Sequence, residues 1–153
     1  MVTTTYTDLE DLVGTQLGIS EWVAIDQGMI NRFADATGDH QWIHVDVMRA
    51  ERELGGTIAH GFLVLSLNAR LGDPMLVVSD SPHRLNYGLN KVRFTSPVPS
   101  GSRVRLVQIL RMVEPKGRGK LLTLDCVMEL EGSERPAFVA EQLVQVRPGA
   151  AVA

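Results

Sequence analysis

Cysteine is nearly absent from this chain: Cys126 stands alone among 153 residues. A single thiol excludes an internal disulfide and a thiolate metal cluster, and such usage fits a reducing compartment. An excess of positive charge is also missing. The 15 Lys and Arg against 18 Asp and Glu leave a net charge of −3. A protein that holds nucleic acid mainly through its phosphates needs a basic surface, so no nucleic-acid partner is expected. Long apolar runs are lacking too. Stretches such as Phe62–Leu65 and Met75–Val78 are short, whereas a membrane span needs about 20 residues. Met1–Glu10 has neither a basic nor an apolar signal region, so no secretory signal is expected. The ending Pro148-Gly149-Ala150-Ala151-Val152-Ala153 carries no lipidation box. These absences predict a cytoplasmic protein with no membrane partner. No internal repeat is visible.

What is present fits one folded unit. Hydrophobic residues at 44% and charged residues at 22% lie near globular averages and exclude wholesale disorder. A chain of this length is expected to form one domain and to bury roughly 68–70% of the surface its unfolded form exposes. A single domain over residues 1–153 is predicted, with short flexible ends at about 1–8 and 148–153.

Patterning divides the chain into two halves. Ile19–Ile25 reads as a short strand rich in Ile, Trp and Val. Asp26 offers an N-cap for a helix from Gln27 to about Ala36, with Ile30, Phe33 and Ala34 at helical spacing and Gly38 as its left-handed stop. Asp46 caps a second helix over Val47–Leu54, ended by Gly55-Gly56. A third starts near Ala59-His60-Gly61 and runs to Leu71; it is apolar nearly all round, which predicts burial on most sides. The second half reads as strands: Leu89–Phe94, Val104–Met112, Leu121–Glu129 and Phe138–Val146, with turns at Pro97–Gly101, Glu114–Gly119 and Glu131–Pro136. The expected class is α+β, an antiparallel four-strand meander wrapped around a long central helix.

Chemistry concentrates in Ala36-Thr37-Gly38-Asp39-His40-Gln41-Trp42-Ile43-His44-Val45-Asp46. Three readings of this stretch stay open. Asp and His can be plain cap and turn residues. His40, His44 and His60 can be metal ligands, although the chain has only 4 histidines and no second acidic cluster. Asp39 and His44, five apart across a loop, can converge as an acid–base pair on one water. A second feature is Ala59-His60-Gly61 at the head of the apolar helix, where free N–H groups point outward and Gly61 admits close approach. Such donors can hold a developing oxyanion; alternatively Gly61 only eases packing. Ser66, polar within that helix, either bonds back to a carbonyl four residues earlier or faces the site.

In order and spacing, residues 20–146 resemble the MaoC-like, (R)-specific enoyl-CoA hydratases, a family with the hot-dog fold. The family motif Gly-Asp-x-Asn-Pro-x-His, followed further on by His-Gly and a Ser, stands here as Gly38-Asp39-His40-Gln41-Trp42-Ile43-His44, then His60-Gly61 and Ser66. Asn86–Phe94 and Pro97–Gly101 look like the family's next strand and turn. Within the family the chain resembles a subgroup that includes the nodulation-protein-N-like members and mycobacterial hydratases. The resemblance implies a single hot-dog domain and syn addition of water to a trans-2-enoyl-CoA, giving a (3R)-3-hydroxyacyl-CoA, and its reverse. Asp39 and His44 would be the catalytic pair. The Gly61 N–H would take the thioester carbonyl, with His60 beside it, Gln41 orienting and Ser66 supporting. No metal or redox cofactor is implied, because the thioester acidifies the α-position; coenzyme A enters as part of the substrate. A homodimer paired through the sheet is implied.

Two departures stand out. Gln41 replaces the family Asn and reaches further. Trp42 replaces the family Pro, either packing or lining the acyl pocket. The rival readings are a hot-dog thioesterase, which would place a carboxylate on the central helix where Ala59–Leu71 has none, and a non-catalytic acyl-CoA-binding module. Lys91, Arg93, Arg70 and Arg84 are either phosphate contacts or simple solvated charges.

Overall fold

The computed structural model describes residues 1–81 and 83–149. Of the tail expected to be flexible, 150–153 lie outside the described residues. At the other end Val2–Thr4 forms β1, which runs parallel to β4 (Leu76–Val78) in a small sheet of its own. The run expected as one strand is two, β2 (Gln16–Ile19) and β3 (Val23–Ala24), both antiparallel to β6 (Arg103–Lys116). Ile19 faces Val107 and Val23 faces Val104. That is one residue more on this side than on β6, and an extra residue breaks a ladder.

The helices begin where their caps predict. The Asp26 carboxylate accepts from the Met29 N–H at 2.7 Å and starts α1 (Gln27–Thr37), which Gly38 ends at φ 78°. Asp46 accepts from the Arg49 N–H at 3.0 Å and starts α3 (Val47–Leu54). One more turn of helix, α2 (Trp42–Val45), occupies the loop expected between them. The long helix is α4 (Gly61–Gly72).

The remaining strands are β5 (His83–Phe94), β7 (Gly119–Leu130) and β8 (Phe138–Arg147). The main sheet runs β2-β6-β7-β8-β5, with β3 extending β2 along β6. The four-strand meander is thus only partly realised. β6, β7 and β8 are sequential neighbours, but β5 pairs with β8 at the far edge. The connection explains why. Segment 95–102 leaves β5 beside Ala137, passes the head of α4, where Val98 O accepts from the Ala59 N–H, and reaches β3, where Ile25 O accepts from the Gly101 N–H. Pro97 and Pro99 suit this extended crossing and not a tight hairpin.

The inner sheet face carries Leu106, Leu110, Leu122, Leu124, Met128 and Phe138, which pack with Leu63, Val64, Leu67 and Leu71 of α4. Burial of α4 is less complete than its composition predicts, because Phe62, Ser66, Ala69 and Arg70 are exposed. β5 likewise has no fully buried residue. Among the described residues no helix is long and apolar enough to cross a membrane.

Candidate active site

The left-handed turn at Gly38, which a side chain would strain, drops Asp39 into a half-buried position before α2. Five residues on, His44 is buried on α2. Its Nδ1 lies 2.7 Å from Ile58 O. A carbonyl only accepts, so Nδ1 carries a hydrogen and donates it, which leaves Nε2 as the nitrogen not engaged by Ile58. The His44 main chain is clamped as well: Gln27 Nε2 donates to His44 O at 2.7 Å, and Thr57 Oγ1 donates to Gln27 Oε1. α1, α2 and segment 57–58 together fix one imidazole.

His60 closes the cluster. Its Nε2 donates to Asp39 O at 2.9 Å. Its ring stacks on His44 with centroids 3.8 Å apart and planes at 26°, and Phe33 packs behind it at 5.0 Å. Asp39, His44 and His60 each offer a ligand-type atom within 4.8 Å of the others. A separation of this order is what one water spans, since two hydrogen bonds of about 2.8 Å set their outer atoms about 4.6 Å apart. Two imidazoles and a carboxylate are also a donor set for a transition metal. The geometry suits one ion poorly, because imidazole binds metal in its ring plane and these planes lie one above the other.

Beside the pair opens a cleft of about 290 Å³, lined by His44, Gly61, Val64, Phe94, Pro97 and Val98 among others. Gly61 is the first residue of α4, so its N–H has no acceptor within the helix and sits at the positive end of the dipole. The Phe94 ring lies against it: a Cβ at Gly61 would meet ring carbons at 3.2 Å.

Of the residues singled out from the sequence, the structure brings together Asp39, His44, His60 and Gly61. Of these, His44 and Gly61 line the cleft, whereas Asp39 and His60 do not. The Gln41 side chain is exposed; its contribution is a backbone N–H 3.4 Å from Asp39 Oδ1. Trp42 lies beneath the Arg49 guanidinium at 4.0 Å, outside the cleft lining. Ser66 Oγ donates back to Leu63 O at 2.7 Å, on the exposed side of α4 and away from the pair. His40, one of the possible metal ligands, turns instead to Asp35 at 3.0 Å, and that hydrogen bond raises its pKa. Among the basic candidates, Arg84 is engaged internally, donating to Leu76 O and Asp73 O, and burial pushes its pKa down. Lys91 pairs with Glu141 at 3.2 Å. Arg70 and Arg93 are exposed and, among the described residues, have no carboxylate partner.

Gln27, Thr57 and Phe94 are site residues that sequence reasoning missed. Gln27 reads as the first residue of a helix, and nothing local says that its amide reaches His44. Phe94 reads as one more apolar position of an alternating strand.

Comparison with known proteins identifies the family and the fold. The profile of the MaoC like domain matches residues 8–120. The chain is 51% identical over 140 residues to 3-hydroxyacyl-thioester dehydratase Z of Mycobacterium tuberculosis, covering 90% of this chain and 93% of that protein. It is 44% identical over 144 residues to Nodulation protein N of Rhizobium leguminosarum bv. viciae, covering 92% and 89% respectively. Among solved structures, R-hydratase PhaJ1 of Pseudomonas aeruginosa superimposes with a TM-score of 0.77 at 21% identity, covering 94% of this chain and 86% of that one. The shared architecture is the hot-dog fold.

Proposed function

Because the chain belongs to the MaoC-like domain family, we propose that it adds water to a trans-2-enoyl-CoA to give a (3R)-3-hydroxyacyl-CoA, and catalyses the reverse elimination. The observation that carries this reading is the Asp39–His44 pair, held within 4.8 Å beside an apolar cleft at the free N–H end of α4. A water between the two groups gives up a proton to the pair as its oxygen bonds to C3. The π electrons move toward the thioester, and the pair returns a proton to C2 on the same face, so one O–H bond breaks while C3–O and C2–H bonds form. Charge gathering on the thioester oxygen is met by the Gly61 N–H. A cleft of about 290 Å³ is at the small end of ligand pockets; it takes the reacting end of the ester and leaves most of coenzyme A outside, where Arg93 is a candidate phosphate contact. No metal or redox group is needed, since the thioester itself acidifies C2.

Purified protein mixed with crotonyl-CoA is expected to remove the enoyl absorbance and to yield a product that a (3S)-specific 3-hydroxyacyl-CoA dehydrogenase leaves untouched. Ready oxidation by that enzyme would sink the (R) assignment. Release of a free thiol would point to a thioesterase, a reading disfavoured because α4 carries no carboxylate. Binding without turnover would point to an acyl-CoA-binding module.

The proposed assembly is a homodimer. Phe62, 70% exposed, sits near Phe94, and Leu85, Tyr87 and Leu89 are also exposed along β5. β5 is an edge strand with one unpaired side, a liability that pairing with a second copy removes. Light scattering at micromolar concentration is expected to give a mass near twice 16.8 kDa or a multiple of it; a stable, active monomer would contradict the assembly.

A further inference from the structure

Asp39 and His44 sit on different elements, and among the described residues no hydrogen bond joins their side chains. A side chain that touches both is that of His60, which follows them by many residues and arrives with α4. It is 3% exposed. Its Nε2–H holds the Asp39 carbonyl at 2.9 Å, which fixes the peptide from which the carboxylate projects. Its ring face lies on the His44 ring at 3.8 Å, so that imidazole cannot tip away from its bond to Ile58 O. The Phe33 ring also packs against it, tilted, at 5.0 Å. Among the described residues the other nitrogen, Nδ1, is buried with no hydrogen-bond partner. An unpaired buried polar atom costs stability, and an apolar ring would fill this space without that cost.

We infer that His60 is a positioning residue, which sets the Asp39 carboxylate and the His44 imidazole against each other without touching substrate. The inference rests on the acid–base reading of that pair. Its two contacts separate by substitution. His60→Gln keeps an N–H that reaches toward Asp39 O and loses the ring. His60→Phe keeps the ring and loses the N–H. His60→Ala loses both.

With crotonyl-CoA as substrate, kcat is expected to fall about 10-fold in the Gln and Phe variants and about 10²-fold in Ala, the scale of a misplaced catalytic group. KM should stay close to that of the unmodified chain. Partial rescue by both Gln and Phe, independent of how the melting temperatures rank, is the signature of positioning. The inference is overturned if all three variants keep full kcat whatever their melting temperatures, since His60 then only packs. It is equally overturned if KM rises while kcat holds, since His60 then binds substrate. Full turnover in Asp39→Asn would remove the acid–base reading instead, and the inference with it.

Discussion

Asp39→Asn is expected to slow hydration of the best substrate by at least about 10²-fold, the lower end of general acid–base contributions. Asn is nearly the same size as Asp but cannot take a proton from the bridging water. The side chain is half-buried on a loop and makes only a long contact with the Gln41 N–H at 3.4 Å, so the melting temperature should hardly move. His44→Ala should cost as much in rate, with a different side effect. His44 is buried and bonded to Ile58 O at 2.7 Å. Truncation strands that carbonyl, and a stranded buried group costs about 1–3 kcal/mol. His44→Asn is the cleaner variant, because its amide nitrogen can take the place of Nδ1 while nothing takes the place of Nε2. Rates of both variants should be read at low temperature, where each is folded. Near-full activity in Asp39→Asn or His44→Asn would show that the residue concerned is not an acid–base group.

Gly61→Val is expected to lose about 10²–10³-fold in turnover, the usual consequence of losing one oxyanion donor, about 2.7–4 kcal/mol. A side-chain change cannot delete a backbone N–H, so the variant acts by filling the space where the carbonyl must lie. Its cost in stability depends on Phe94. An added Cβ meets that ring at 3.2 Å, too close to be comfortable, but Phe94 is 47% exposed and can swing outward. The fold should therefore survive. The contrary result is early melting, by about 1–3 kcal/mol as in an overpacked contact, with turnover retained at low temperature. Gly61 would then be a packing glycine and the oxyanion role would fail.

Both variants were nameable before the fold was known, and the reason is local. The Asp26, Gly38, Asp46 and Gly55 signals act within one helical turn, so they placed α1 and α3 to within a residue. Asp39 and His44 are close in the chain, so spacing allowed them to converge among three open readings, and the family resemblance singled out the pair. Gly61 at the head of an apolar helix was legible for the same reason. α2 was not, because four residues of helix carry too weak a pattern to be told from a loop.

Sequence alone thus determined α1, α3, α4 and the order of the long strands along the chain, features set by neighbours a few positions apart. The tertiary structure decided the rest. It put β5 beside β8 and not β6, because segment 95–102 crosses the head of α4. It turned Ser66 outward to an exposed face. It brought Gln27 and Thr57 to the back of His44, and it laid His60 on that ring. Each of these joins segments distant in sequence, and such contacts follow from how the helix fills the curve of the sheet. Nothing in the residues adjoining Ser66 or His60 distinguishes the side chain that meets solvent from the one that meets His44.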